Sequence, residues 1–231
     1  MAAQPYRFSA GIVQPVVRAL LPAIACILLL GGCIYSVYTT HEYRNFALTI
    51  EDLRNHGIAF ITPSSITGQE EDREALALTF AQVLRERRPD MPVVTLPETL
   101  GALNRADMLA DYKAMYEDYA DTGIFSRAVL KQISDLTGSR YLAQLKLSGF
   151  GQGSSQRLGV FGLRLLETKR GNLRIFLQIW DGQAGEIAWE GYEEVIMSSE
   201  TFTEKGVMFY DVARTIAEGM VAKIPKNQLD M

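Results

Sequence analysis

The feature that most restricts the fold is a change of hydrophobic period near residue 140. Before it, apolar residues recur at helical spacing: Leu76, Phe80, Val83 and Leu84, then Met108, Leu109, Tyr112, Met115, Tyr116 and Tyr119, then Val129, Leu130, Ile133 and Leu136. After it they alternate. Tyr141, Ala143, Leu145 and Leu147 are separated by Gln144, Lys146 and Ser148, and Leu173, Ile175, Leu177 and Ile179 repeat the pattern. A period of two marks strands with one wet face. A closing helical stripe runs Val207, Tyr210, Ala213, Ile216, Ala217, Met220 and Ile224, and Pro225 stops it.

The signals between these runs complete the element order. Ile58 to Ile61 reads as a short buried strand halted by Thr62-Pro63, and Val93 to Leu96 reads as another. Acidic residues from Glu70 to Glu74 and Arg85, Arg87 and Arg88 complement the two ends of the intervening helix, which Pro89 ends. Gly138 is the expected stop of the 129–136 helix. Gly149, Gly151 and Gly153 read as a flexible loop before a strand from Val160 to Leu166, and Asp181 to Gly185 turns the chain into Ile187 to Val195. The expected fold is α/β: a single mixed-sheet sandwich with helices packed on the sheet and a four-strand antiparallel meander in the C-terminal half. It occupies residues 57–225, with a polar tail at 226–231.

The N-terminal quarter carries different information. Arg7 and Arg18 precede an apolar stretch from Ala19 to Leu30, the layout of an export signal. Leu30-Gly31-Gly32-Cys33 resembles the bacterial lipobox. That resemblance implies a signal peptide over residues 1–32, cleavage before Cys33, and a diacylglycerol on the Cys33 thiol with a further acyl chain such as palmitate on its amine. Multiple chains give stable anchoring, at roughly 0.8 kcal/mol per buried CH₂. The alternative is an uncleaved signal anchor in the inner membrane, because Ala19 to Tyr38 is about 20 mostly apolar residues. Ile34, not Asp, follows the cysteine and fails to match the inner-membrane retention signal, so the lipobox rule implies the outer membrane. Residues 33–56 read as a lipid-anchored tether.

Charge and composition exclude several functions. The chain carries a formal −4, and without residues 1–32 it keeps 21 basic residues against 27 acidic ones. No nucleic-acid partner is expected, since phosphate binding needs a basic surface. The two cysteines, Cys26 and Cys33, both lie in the N-terminal apolar region. The domain therefore has neither disulfide nor cysteine nucleophile. With His41 and His56 the only histidines, no metal site is expected. Gly149-x-Gly-x-Gly153 lacks the helix that a phosphate cradle needs behind it. No catalytic residue, cofactor motif or enzyme signature is found.

Three motifs carry a wider likeness: Gly57-Ile58-Ala59-Phe60-Ile61 leading into a helix, the step Thr137-Gly138-Ser139-Arg140-Tyr141-Leu142, and the turn from Trp180-Asp181-Gly182 to Trp189-Glu190-Gly191. With the element order, they resemble a superfamily of bacterial envelope lipoproteins. It includes the curli secretion-channel lipoprotein, the penicillin-binding-protein activators and the TolB N-terminal domain. The resemblance implies a non-enzymatic, periplasm-facing accessory or assembly protein of the cell envelope that binds other envelope proteins. A homo-oligomeric ring or secretion-pore component is the alternative, although Gly159 to Leu166 is short for a membrane hairpin. A small-ligand or enzymatic domain stands third. Candidate partner-binding residues are Tyr112, Tyr116 and Tyr119 on one helix and Gly151 and Gly153 in the glycine-rich loop; packing of the tyrosine stripe against the core explains the same spacing and is the alternative. Trp180 and Trp189 are expected to pack near one another, and Asp181, Glu186, Glu190, Glu193 and Glu194 to form a solvated acidic face.

Overall fold

A computed structural model describes residues 35–65, 70–160, 163–201 and 206–225. The signal segment, the lipobox residues Leu30, Gly31 and Gly32, Cys33, and the 226–231 tail lie outside the described residues.

The chain from Tyr35 is a seven-stranded mixed sheet with helices on both faces, the expected α/β class. Strand β1 is Tyr35–Asn45 and helix α1 is Ile50–His56; β2 (Ile58–Phe60) and β3 (Ser64–Ser65) lead to α2 (Glu70–Arg87) and β4 (Val93–Val94). Helices α3 (Leu96–Arg105), α4 (Leu109–Thr122) and α5 (Arg127–Thr137) follow. The long strands β5 (Tyr141–Val160), β6 (Leu163–Asp181) and β7 (Glu186–Thr201) and helix α6 (Phe209–Lys223) complete the domain. The order across the sheet is β1-β7-β6-β5-β2-β4, with β3 also on β5. Strands β5, β6, β7 and β1 are antiparallel, whereas β2 is parallel to β4 and β5.

Residues 35–56 are not a tether. Strand β1 pairs with β7 from Tyr35↔Ser199 to Asn45↔Trp189, and Thr49 caps α1 by accepting the Asp52 amide at 3.1 Å. The β1 side chains from Ser36 to Glu42 are exposed, so its hydropathy is weak. Its position is held by the backbone ladder, which leaves no trace in composition. The glycine-rich stretch is not a loop either. β5 runs through it, pairing Gly151 with Asn172 and Gly153 with Arg170. The separate second meander strand expected at Val160–Leu166 does not exist as such: Val160 ends β5 and Leu163 begins β6. The β5–β6 hairpin pairs as far as Val160↔Leu163 and is far longer than the sequence suggests. Leu96, read as the end of a strand, instead begins α3, where the Thr95 amide donates to Glu98 Oε2 at 2.6 Å.

Two cores flank the sheet. On one face α2 and α6 cover Phe60, Tyr141, Leu145, Ile175, Ile179 and Trp189. On the other, α3, α4 and α5 bring Leu103, Met115, Phe125 and Ile133 onto Ala59, Ile61, Leu142 and Trp180. β2 is thus buried on both faces and reads as a continuous apolar run, whereas β5 and β6 alternate. The two tryptophans are both buried but lie in different cores, because Trp189 pairs with Ile179, one residue before Trp180, and alternation turns the two rings to opposite faces.

Candidate functional site

The second helical layer ends at the row formed by Leu142 and Trp180. Beyond it, the same face of β5, β6, β7 and β1 has no helix over it among the described residues. Register makes two cross-strand rows there: Gln144, Gln178, Glu190 and Arg44 in one, Lys146, Phe176, Tyr192 and Glu42 in the next. Alternation puts these side chains opposite the leucines and isoleucines of the first core. They line an open cavity of about 330 Å³, with Tyr119 of α4 as its wall.

The cavity has a definite chemistry. Phe176 and Tyr192 lie side by side with ring centroids 5.6 Å apart and planes tilted by 39°. Tyr119 stacks on Phe125 at 4.1 Å and donates its hydroxyl to Gln178 Oε1 at 3.3 Å. Gln144 donates Nε2 to Ser64 Oγ at 2.8 Å. Arg44 and Glu42 form an exposed ion pair at 2.7 Å on the β1 side. Lys146 is half-buried and has no carboxylate partner among the described residues.

The candidate tyrosines separate. Tyr112 donates to Thr62 Oγ1 at 2.9 Å and accepts the Thr62 amide at 2.8 Å, while Tyr116 donates to the Thr62 carbonyl. Burial raises the pKa of both phenols. These two clamp the chain just after β2; Tyr112 is buried and Tyr116 half-buried. Tyr119 alone reaches the cavity. Gly151 and Gly153 are brought to none of these residues. A β-carbon at Gly151 would collide with the Asn172 side chain, whereas Gly153 has open space.

The acidic residues also divide. Glu186 is exposed and Glu190 and Glu194 are half-buried, but Asp181 and Glu193 are inside. Asp181 Oδ1 accepts the Gln183 and Ala184 amides, at 2.9 and 3.1 Å, and its Oδ2 pairs with Arg140 at 2.7 Å. Burial alone would raise the Asp181 pKa; the guanidinium and the two amides outweigh it and lower the value. Glu193 accepts from Tyr43 beneath α6, where Gly219 leaves room for it. Its pKa is raised, chiefly by burial. Both are structural. No group of three or more metal-ligating side chains occurs among the described residues.

The phenylalanine–tyrosine pair and the two glutamines escaped notice in the sequence. Phe176, Gln178, Gln144 and Tyr192 sit at the polar-side positions of alternating strands, which announce exposure but not which strands adjoin; Phe176, Gln178 and Tyr192 are half-buried, and Gln144 is buried.

The sequence matches no known family model and no curated protein. Among solved structures it is similar to the PelC dodecamer of Paraburkholderia phytofirmans in two crystal forms, one a single-residue variant. Both have TM-score 0.41 and 12% identity; they cover 82% and 84% of this chain and 96% and 100% of PelC. It is also similar to lipoprotein GNA1162 of Neisseria meningitidis, at TM-score 0.37 and 11% identity, over 72% of this chain and 96% of that one. Likeness at this level assigns neither family nor function.

Proposed function

We propose that the chain is a lipoprotein acylated at Cys33, facing the periplasm from the outer membrane, that serves a cell-envelope machine by protein–protein contact and is not an enzyme. The observation that carries the contact reading is the outer edge of the sheet. β1 presents 11 residues whose second backbone edge pairs with nothing among the described residues. A strand edge of this length is a template for a partner strand. Beside it Tyr38, 68% exposed, faces Ile196 of β7, 39% exposed, an apolar pair in the open at the edge. Anchoring rests on the lipobox-like Leu30-Gly31-Gly32-Cys33. No helix among the described residues is long and apolar enough to cross a membrane.

The intact mass of membrane-extracted protein, wild type beside Cys33→Ala, tests the anchor. A mature chain beginning at a diacylglycerol-bearing Cys33, lost in the variant, is expected. A full-length unmodified chain would replace it with a signal anchor in the inner membrane. For contact, photo-crosslinkers placed at Tyr38 are expected to capture an envelope protein, and adducts no different from those at Lys113, exposed on α4, would end the reading.

A second reading, a homo-oligomeric ring, is favoured by one further feature. β5 beyond Leu147 pairs only with β6 among the described residues, so the sheet has free edges on opposite sides. Pairing the β1 edge of one copy with the β5 edge of the next is head-to-tail and closes into a ring where the rotation allows. A single large species in detergent would select this reading over a monomeric or dimeric accessory factor.

A further inference from the structure

The cavity on the uncovered sheet face is built of groups that share one kind of ligand. Tyr119 occupies the Gln178 carbonyl, which leaves the Gln178 amide nitrogen without an acceptor among the described residues. Ser64 and the Leu145 carbonyl occupy the Gln144 nitrogen, which leaves the Gln144 carbonyl without a donor there. Beside this unfilled donor and unfilled acceptor stand the ammonium of Lys146, which has no carboxylate partner among the described residues, and the carboxylate of Glu190. Between them lie the partly exposed rings of Phe176 and Tyr192.

The geometry points to a glycan-binding site: an extended oligosaccharide laid across the sheet face, its sugar rings on Phe176 and Tyr192. A ring face carries negative charge and attracts the weakly positive C–H face of a pyranose. A sugar hydroxyl both donates and accepts, so one polyol satisfies the Gln178 nitrogen and the Gln144 oxygen together. Planar amide and carboxylate groups reach two adjacent hydroxyls at once. From Lys146 on β5 to Glu42 on β1 is three strand spacings, about 14 Å, which suits several linked sugars. An extended peptide fits less well. It binds by pairing backbone, and the backbone groups on this floor are already spent within the sheet. A formal −4 disfavours nucleic acid.

Titration calorimetry with the full chain, held in a phosphocholine detergent that carries no sugar, tests the site with cellotetraose and chitotetraose as probes. One of them is expected to bind with Kd below about 1 mM. Tyr192→Ala is expected to weaken binding by about tenfold or more, and so is the nearly isosteric Glu190→Gln, which keeps the inference testable if Tyr192→Ala does not fold. Cys33→Ala protein is expected to bind as wild type, which separates this site from the anchoring proposed above. No heat from either sugar at about 10 mM, unchanged binding by both variants, or displacement of the sugar by a glycine–alanine tetrapeptide would overturn it.

Discussion

The same face of one sheet has two different halves. Over β2 and the start of β5 it is sealed, with Leu142 and Trp180 under Phe125, Ile133 and Met115. One row further along β5 and β6, Gln144 and Gln178 replace them, and the helices are gone. Neither β5 nor β6 changes its alternation across the boundary. The lesson is that strand pattern alone sets which side chains share a face, while the reach of α4 and α5 sets what that face is for.

The sharpest way to break this comparison is a matched pair of truncations, one in each half. Trp180→Ala in the sealed half is expected to cost about 3–5 kcal/mol in urea unfolding. The loss combines apolar transfer with a cavity beneath Phe125, whose ring lies edge-on to the indole at 5.3 Å. If Trp180→Ala cost no more than a truncation in the open half, the two halves would not differ as described.

The boundary row is pinned at its end by the turn after Trp180. Removing the guanidinium in Arg140→Met leaves the Asp181 carboxylate with amide partners only, an expected loss of about 1.5–3 kcal/mol. Because the pKa of Asp181 is lowered in the fold, its contribution is present above the ordinary aspartate value. It fades as pH falls through the folded value. Urea midpoints of wild type and Arg140→Met should therefore converge on acidification, and a constant gap down to the acid limit would contradict the pairing.

The opposite face supplies a contrast of sign. Burial first, opposed by the Tyr43 hydrogen bond and by the charges of His41 and Lys223, leaves the Glu193 pKa raised. The native state then binds its proton more tightly than the unfolded chain. Stability from this group is full below the ordinary glutamate value and is lost as pH rises through the folded one. Glu193→Gln is expected to flatten that slope in thermal unfolding across the window. A slope unaltered by the substitution would show that Glu193 is ionised at no cost.

The smallest effect belongs to the open half. Phe176→Ser and Tyr192→Ser are expected to lie within about 1 kcal/mol of wild type, since both rings are only partly buried. A drop as large as that of Trp180→Ala would mean that the cavity floor is core and not a site.

The sequence by itself determined the helix stripes, the wet and dry faces of β5 and β6, the Gly138 stop and the Asp181 turn. Each of these depends on neighbours a few residues apart, where periodicity and turn chemistry act. It also carries the lipobox-like run ending at Cys33. Tertiary structure decided the rest. β1 looks like a tether because its side chains are polar; only pairing with β7, some 150 residues away, makes it a strand. Glycines at 151 and 153 resemble a loop until β6 takes up their backbone. Tyr112, Tyr116 and Tyr119 share one stripe, yet two are claimed by Thr62 and the third by Gln178. Backbone ladders and inter-element contacts are long-range, so local pattern does not encode them, and the cavity exists only where four separate strands bring their wet positions together.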